Sequence, residues 1–153
     1  MFGLIAAVIL FNFIAFKTNK TLTRGQVAHI FMFTTTFQVT FDLYIDLKYE
    51  GYWYFTKNVD WLSLPAHSIL LPPVNMMFLN WYPFKESLWR KAFYLLSWVI
   101  LLLLYEWITL LPEPYGYFDY GWWDIWHSAV VDPILLLILL WYFKRYIALP
   151  EER

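Results

Sequence analysis

Apolar residues in this chain fall into five long runs separated by short polar or aromatic stretches. The first runs from Phe2 to Phe16 and is closed by Lys17. The others cover residues 26–47, 61–82, 88–111 and 126–147, with Pro112 ending the fourth. About 20 apolar residues cross the hydrocarbon of a bilayer, so the last four have the length of spans and the first is short. The first run lacks a basic leader and a small-residue cleavage site, so it is expected as a retained helix rather than a signal peptide. The pattern predicts an all-α, polytopic membrane protein of about five transmembrane helices, forming one integral membrane domain over residues 1–153. Thr23 with Gln26 fits a capping box at the start of the second helix. Asp60 and Asp124 are candidate N-caps for the third and fifth.

Composition agrees with that class. The chain is 61% hydrophobic and 15% charged, against about 25% charged in a soluble domain. Its mean hydropathy is +0.48. A net charge of -1 offers no basic field for nucleic acid. With no cysteine, disulfides, thiol catalysis and Cys-ligated metal sites are excluded. There is no Gly-rich phosphate loop, no G-x-S-x-G and no H-E-x-x-H, and no nucleophile pairs with a base. The chain is therefore expected to be non-enzymatic.

Lys and Arg set the orientation. Lys17, Lys20 and Arg24 follow the first helix, Lys85, Arg90 and Lys91 follow the third, and Lys144, Arg145 and Arg153 follow or end the fifth. Only Lys48 and Lys57 lie on the opposite side. The N-terminus is expected outside and the C-terminus in the cytoplasm. The outer loops are rich in aromatic residues, including Tyr49, Tyr52, Trp53, Tyr54, Trp122, Trp123 and Trp126. They read first as a belt anchoring helix ends at the headgroups, with the lipid bilayer as partner. The stretch Tyr115 to Trp126 reads as an amphipathic segment on the outer leaflet.

Asp42, His67, Glu106 and Asp132 each lie five or six residues from the outer end of a different predicted helix. At about 1.5 Å per residue, all four come roughly 8–9 Å below the outer boundary. Charges in hydrocarbon are costly, so such residues face a polar interior and commonly serve a function. Thr35, Gln38, Asp42 and Asp46 form a polar stripe on the second helix, while Ser63 pairs with His67 and Ser128 with Asp132 at i, i+4. Pro65, Pro72, Pro73 and Pro133 should free backbone carbonyls, and Asn75 could bond one of them. Three carboxylates and an imidazole suit a cation with oxygen ligands or a proton, while metal identity and cofactor stay open. The competing reading is structural, with polar bonds simply joining helices at roughly 0.6 kcal/mol each. Asp46, Asp60 and Asp124 sit at helix ends, where capping or solvation suffices.

Several stretches carry a resemblance: Tyr44-Ile-Asp-Leu-Lys-Tyr-Glu50, Val59-Asp-Trp-Leu62, Pro72-Pro-Val-Asn75, Phe78-Leu-Asn-Trp-Tyr-Pro-Phe84, Tyr105-Glu-Trp107 and Gly121-Trp-Trp-Asp-Ile-Trp-His-Ser128. Together they resemble an uncharacterised family of small multi-pass membrane proteins from spore-forming Gram-positive bacteria. The resemblance implies the cytoplasmic membrane of a bacterium, allows a link to sporulation, and supplies no activity. Helix count and tryptophan content are also similar to the tryptophan-rich sensory proteins that bind porphyrins, although that family's motif positions are missing here. Three functions follow as expectations: a cation- or proton-binding membrane protein, an accessory subunit docking a protein partner or second copy through its aromatic outer face, and a receptor for a small apolar ligand.

Overall fold

A computed structural model describes residues 1–57 and 61–148. Asp60 and Arg153, named above as a cap and a basic end, lie outside the described residues. Most of the chain is helical. The helices are α1 (Phe2–Thr18), α2 (Arg24–Asp42), α3 (Leu71–Trp81), α4 (Leu88–Thr109) and α5 (Ile125–Tyr142). Three of them are lengthened by one turn or so of wider π-helix. Leu43–Lys48 extends α2, Ala66–Leu70 precedes α3, and Phe143–Ile147 extends α5. With these extensions, three helices are long and apolar enough to cross a membrane: Trp61–Trp81, Leu88–Thr109 and Ile125–Ile147. Helix α1 is apolar but shorter, and α2 carries the polar stripe.

Local chemistry accounts for the ends. The Thr23 side chain accepts from the Gln26 backbone N–H (3.3 Å), and the Gln26 side chain accepts from the Thr23 N–H (2.9 Å). This is the reciprocal box the sequence predicts. Asp124 caps α5 by accepting from the Trp126 and His127 N–H groups at 2.9 and 3.1 Å. His127 closes a second box back onto the Asp124 N–H (3.2 Å).

Helix α3 is the buried spine. Pro72, Pro73, Val74, Met76, Met77, Phe78 and Leu79 are all buried, among Ile30 of α2, Trp98 of α4 and Leu136, Leu139 and Leu140 of α5. Helix α1 lies against α3 at the edge of the bundle, with Leu4, Ala7 and Ala15 buried and Ile5, Ile9 and Phe13 exposed. Beyond that packing, one hydrogen bond ties α1 to the turn before α3. Pro73 has no N–H, so the carbonyl four residues earlier, that of Ile69, loses its helical donor. Asn12 supplies the missing donor across the interface, Nδ2 to Ile69 O at 2.9 Å. The sequence reading gave this task to Asn75, which instead donates to Thr34 Oγ1 at 3.0 Å; its side chain faces α2. At the other end of α3, Asn80 holds the α1–α2 turn. It donates to Thr18 O (3.0 Å) and accepts from the Lys20 and Thr21 N–H groups (3.2 and 3.3 Å) and the Thr21 hydroxyl (2.9 Å).

Two short strands close the opposite end of the bundle. β1 (Tyr52–Tyr54) pairs antiparallel with β2 (Phe118–Tyr120), with Tyr52 opposite Tyr120 and Tyr54 opposite Phe118. The middle of the stretch read as an amphipathic segment, Phe118–Tyr120, is thus a strand. Tyr52 and Tyr54 are separated by the strand period of two, as are Phe118 and Tyr120, so all four rings share one face. Gly121 permits the closure: a β-carbon there would lie 2.1 Å from the Glu50 carbonyl oxygen.

Candidate functional site

The ribbon roofs a cavity of about 200 Å³ between α2, α3, α4 and α5. Its walls are mostly aromatic and aliphatic, among them Phe37, Phe41, Tyr54, Tyr105, Tyr117 and Leu136. Polar side chains interrupt them at Thr34, Gln38, Asn75, Glu106, Ser128 and Asp132. The four ionisable residues singled out from the sequence all lie at this end of the bundle, in two clusters.

The first cluster is closed. Asp42 is buried at the last α-helical position of α2, where the π turn begins. Its Oδ1 accepts from the Tyr52 hydroxyl and from Gln38 Nε2 (3.1 Å), and its Oδ2 accepts from the same Gln38 amide (3.1 Å). His67 Nδ1, also buried, lies 2.7 Å from Oδ2, close enough for an ion pair but out of line for a hydrogen bond. Tyr54 packs edge-on against the His67 ring, with centroids 4.9 Å apart. Burial, reinforced by the Asp42 charge, holds the Tyr52 phenol well above its usual range, so it stays a donor. The π turn before α3 carries His67, and such turns are frequent where a side chain must be re-aimed. Asp46, from the same stripe, is half-buried in the π turn after Asp42.

The second cluster is half open. Glu106 on α4 accepts from the Tyr120 hydroxyl and from Ser128 Oγ (2.7 Å), both at Oε1. The Ser128 oxygen in turn accepts from the Trp123 indole N–H at 2.8 Å. Burial, then the bond to Glu106, pushes the Tyr120 phenol up, so it too stays protonated. Among the described residues no donor reaches Glu106 Oε2. Asp132 on α5 lines the cavity near enough to Glu106 for their charges to interact. No hydrogen bond or ion pair is formed by its carboxylate among the described residues.

The structure thus brings Glu106, Asp132 and Ser128 together on one wall, and Asp42, His67 and Gln38 together on the other. Tyr54 stands within electrostatic reach of both Asp42 and Glu106. It does not bring all three carboxylates onto one point, and no group of three or more His, Asp or Glu suited to a metal ion occurs among the described residues. Sequence reasoning missed Tyr52, Tyr120 and Trp123, which supply the donors. It read the loop aromatics as a belt, although Tyr-Trp-Tyr and Phe-Asp-Tyr do alternate as strands do.

Compared with protein-family models, with curated proteins and with solved structures, the chain matches none.

Proposed function

We propose that this is a non-enzymatic membrane protein that crosses the bilayer five times, N-terminus outside, and binds a small molecule in the cavity beneath its ribbon. The cavity carries this reading: ligand sites are concave, mostly apolar, and carry a few convergent polar groups. An engineered cavity of about 150 Å³ admits benzene, so this one suits a molecule of roughly one ring. The membrane reading rests on outward apolar faces that a soluble monomer rarely shows. On α4 the exposed stripe is Trp89, Phe93, Leu96, Ile100, Leu104 and Trp107, and on α5 it is Trp126, Val130, Ile134, Leu137 and Trp141. Helix α1, with 17 residues, would extend only about 26 Å and would need local thinning or snorkelling of Lys17. The resemblance to membrane proteins of spore-forming bacteria favours the bacterial cytoplasmic membrane.

Binding is tested by calorimetric titration of the full chain in detergent with benzylammonium, benzyl alcohol and benzoate. Heats for the Val131→Trp variant, whose enlarged side chain fills the cavity, set the background. At least one probe should bind above that background, and binding by none rejects the cavity reading. Orientation is tested with Lys57→Cys and Lys85→Cys, probed on intact cells with a membrane-impermeant maleimide. Position 57 should label. Labelling of 85 alone would invert the topology. A second reading, an accessory subunit docking a partner, draws support from the saturated Asp42 and from exposed Tyr115, Trp122 and Trp126.

A further inference from the structure

We infer that the ligand of this cavity is a small organic ammonium ion, held by Asp132 and Glu106; the inference rests on the cavity being a binding site. Asp42 has the His67 imidazole 2.7 Å away, whereas among the described residues neither Glu106 nor Asp132 has a basic partner. The chain's Lys and Arg residues stand near helix ends or in loops. Glu106 and Asp132 are both partly buried in the cavity wall, and a carboxylate drawn out of water without a partner is stabilised by a nearby positive charge.

The shape of the site selects the kind of charge. A proton would neutralise one carboxylate and leave the space unfilled. A divalent metal needs six or more oxygens or a tight set of anionic ligands, and this wall of the cavity offers two carboxylates amid mostly aromatic and aliphatic lining. An ammonium group attached to an apolar body matches both parts. Its N–H groups reach the free oxygens, Glu106 Oε2 and the Asp132 carboxylate, while the rings of Tyr54, Tyr105, Tyr117 and Phe41 surround the rest. Aromatic surfaces attract such cations through the ring quadrupole. The Tyr105 and Tyr117 hydroxyls are bonded to each other at 2.6 Å, so these two rings are fixed before a ligand arrives.

The test compares benzylammonium with benzyl alcohol, which has the same ring and nearly the same volume but no charge, on the unaltered full chain in detergent. Benzylammonium should bind at least about tenfold tighter, the difference between a charge-assisted and a neutral hydrogen bond. Asp132→Asn should abolish that preference while benzyl alcohol binding persists. Equal affinity of the two probes in the unaltered protein, or an undiminished preference in Asp132→Asn, overturns the ammonium assignment and leaves the cavity reading intact. Binding of neither probe overturns the ammonium assignment, and if benzoate also fails to bind, the cavity reading with it. Should Asp132→Asn not fold, Glu106→Gln replaces it, with the same two outcomes.

Discussion

The two walls of the polar layer are built from the same kinds of residue and reach opposite states. On the α2–α3 wall, both Asp42 oxygens are occupied by Tyr52, Gln38 and His67. On the α4–α5 wall, Glu106 has one oxygen occupied and Asp132 has neither. Buried polar groups that serve only structure are normally satisfied within the protein. The first wall therefore behaves as a joint between α2, α3 and the ribbon, and the second as a surface that awaits something. Intramembrane carboxylates can serve either purpose, and the difference lies in how many donors the surrounding loops deliver.

The comparison is most exposed at the carboxylates themselves. Replacing Asp42 with Ala strips Tyr52 and Gln38 of their shared acceptor and His67 of its carboxylate neighbour, and should cost about 3 kcal/mol. The same replacement at Asp132 removes no bond and should cost under about 0.5 kcal/mol or stabilise the empty protein. Equal losses in denaturant or SDS unfolding would erase the distinction between the walls. Next in size is Asn12→Leu, which leaves the Ile69 carbonyl unpaired. It should cost about 1–2 kcal/mol, with accelerated proteolysis near the N-terminus as α1 detaches. A third change, Glu106→Gln, keeps an acceptor for Tyr120 and Ser128 and should cost about 1 kcal/mol. A loss as large as that at Asp42 would mean that the α4–α5 wall is also a joint.

Asp124 supplies an exposed reference outside both walls. Backbone donation from His127, ahead of the other contacts, holds its carboxyl below the usual value of 3.8. A depressed carboxyl stabilises the fold above its ordinary pKa, and that contribution is lost as pH falls through the folded value. The native chain should therefore melt slightly above Asp124→Asn at neutral pH, and the gap should close on acidification below pH 3.8. A gap that persists at the lowest pH would remove charge from the explanation of this cap.

Much of this was legible in the chain. Counted with their π and 3-10 extensions, the helix ends fall within two residues of the apolar runs, helped by capping chemistry at Thr23 and Asp124 that is local and leaves a mark in the sequence. Rise per residue brought Asp42, His67, Glu106 and Asp132 to one end of the bundle, since depth depends only on counting along helices. What counting cannot provide is azimuth. The π turn at Ala66–Leu70, which departs from the α-helical period, carries His67, and it is His67 that Asp42 meets. The donors were hidden for a different reason. Tyr52 and Tyr120 reach the layer from strands of three residues, too short for alternation to separate from a loop. Asn12 was legible only as the sole polar interior residue of α1. Its partner is set by Pro73, in a distant part of the chain.

The ribbon also fixes an order of events during synthesis. β1 leaves the ribosome before α3, whereas β2 follows α4, so the roof has no second strand until four of the five helices have been made. Ser128 and Asp132 arrive later still, on α5. A chain halted before residue 118 contains Asp42, His67 and Tyr52 but lacks β2, the strand that pairs with Tyr52, and has no far wall to the cavity. Release of the last hairpin is then the moment at which every wall of the site is first present in the chain.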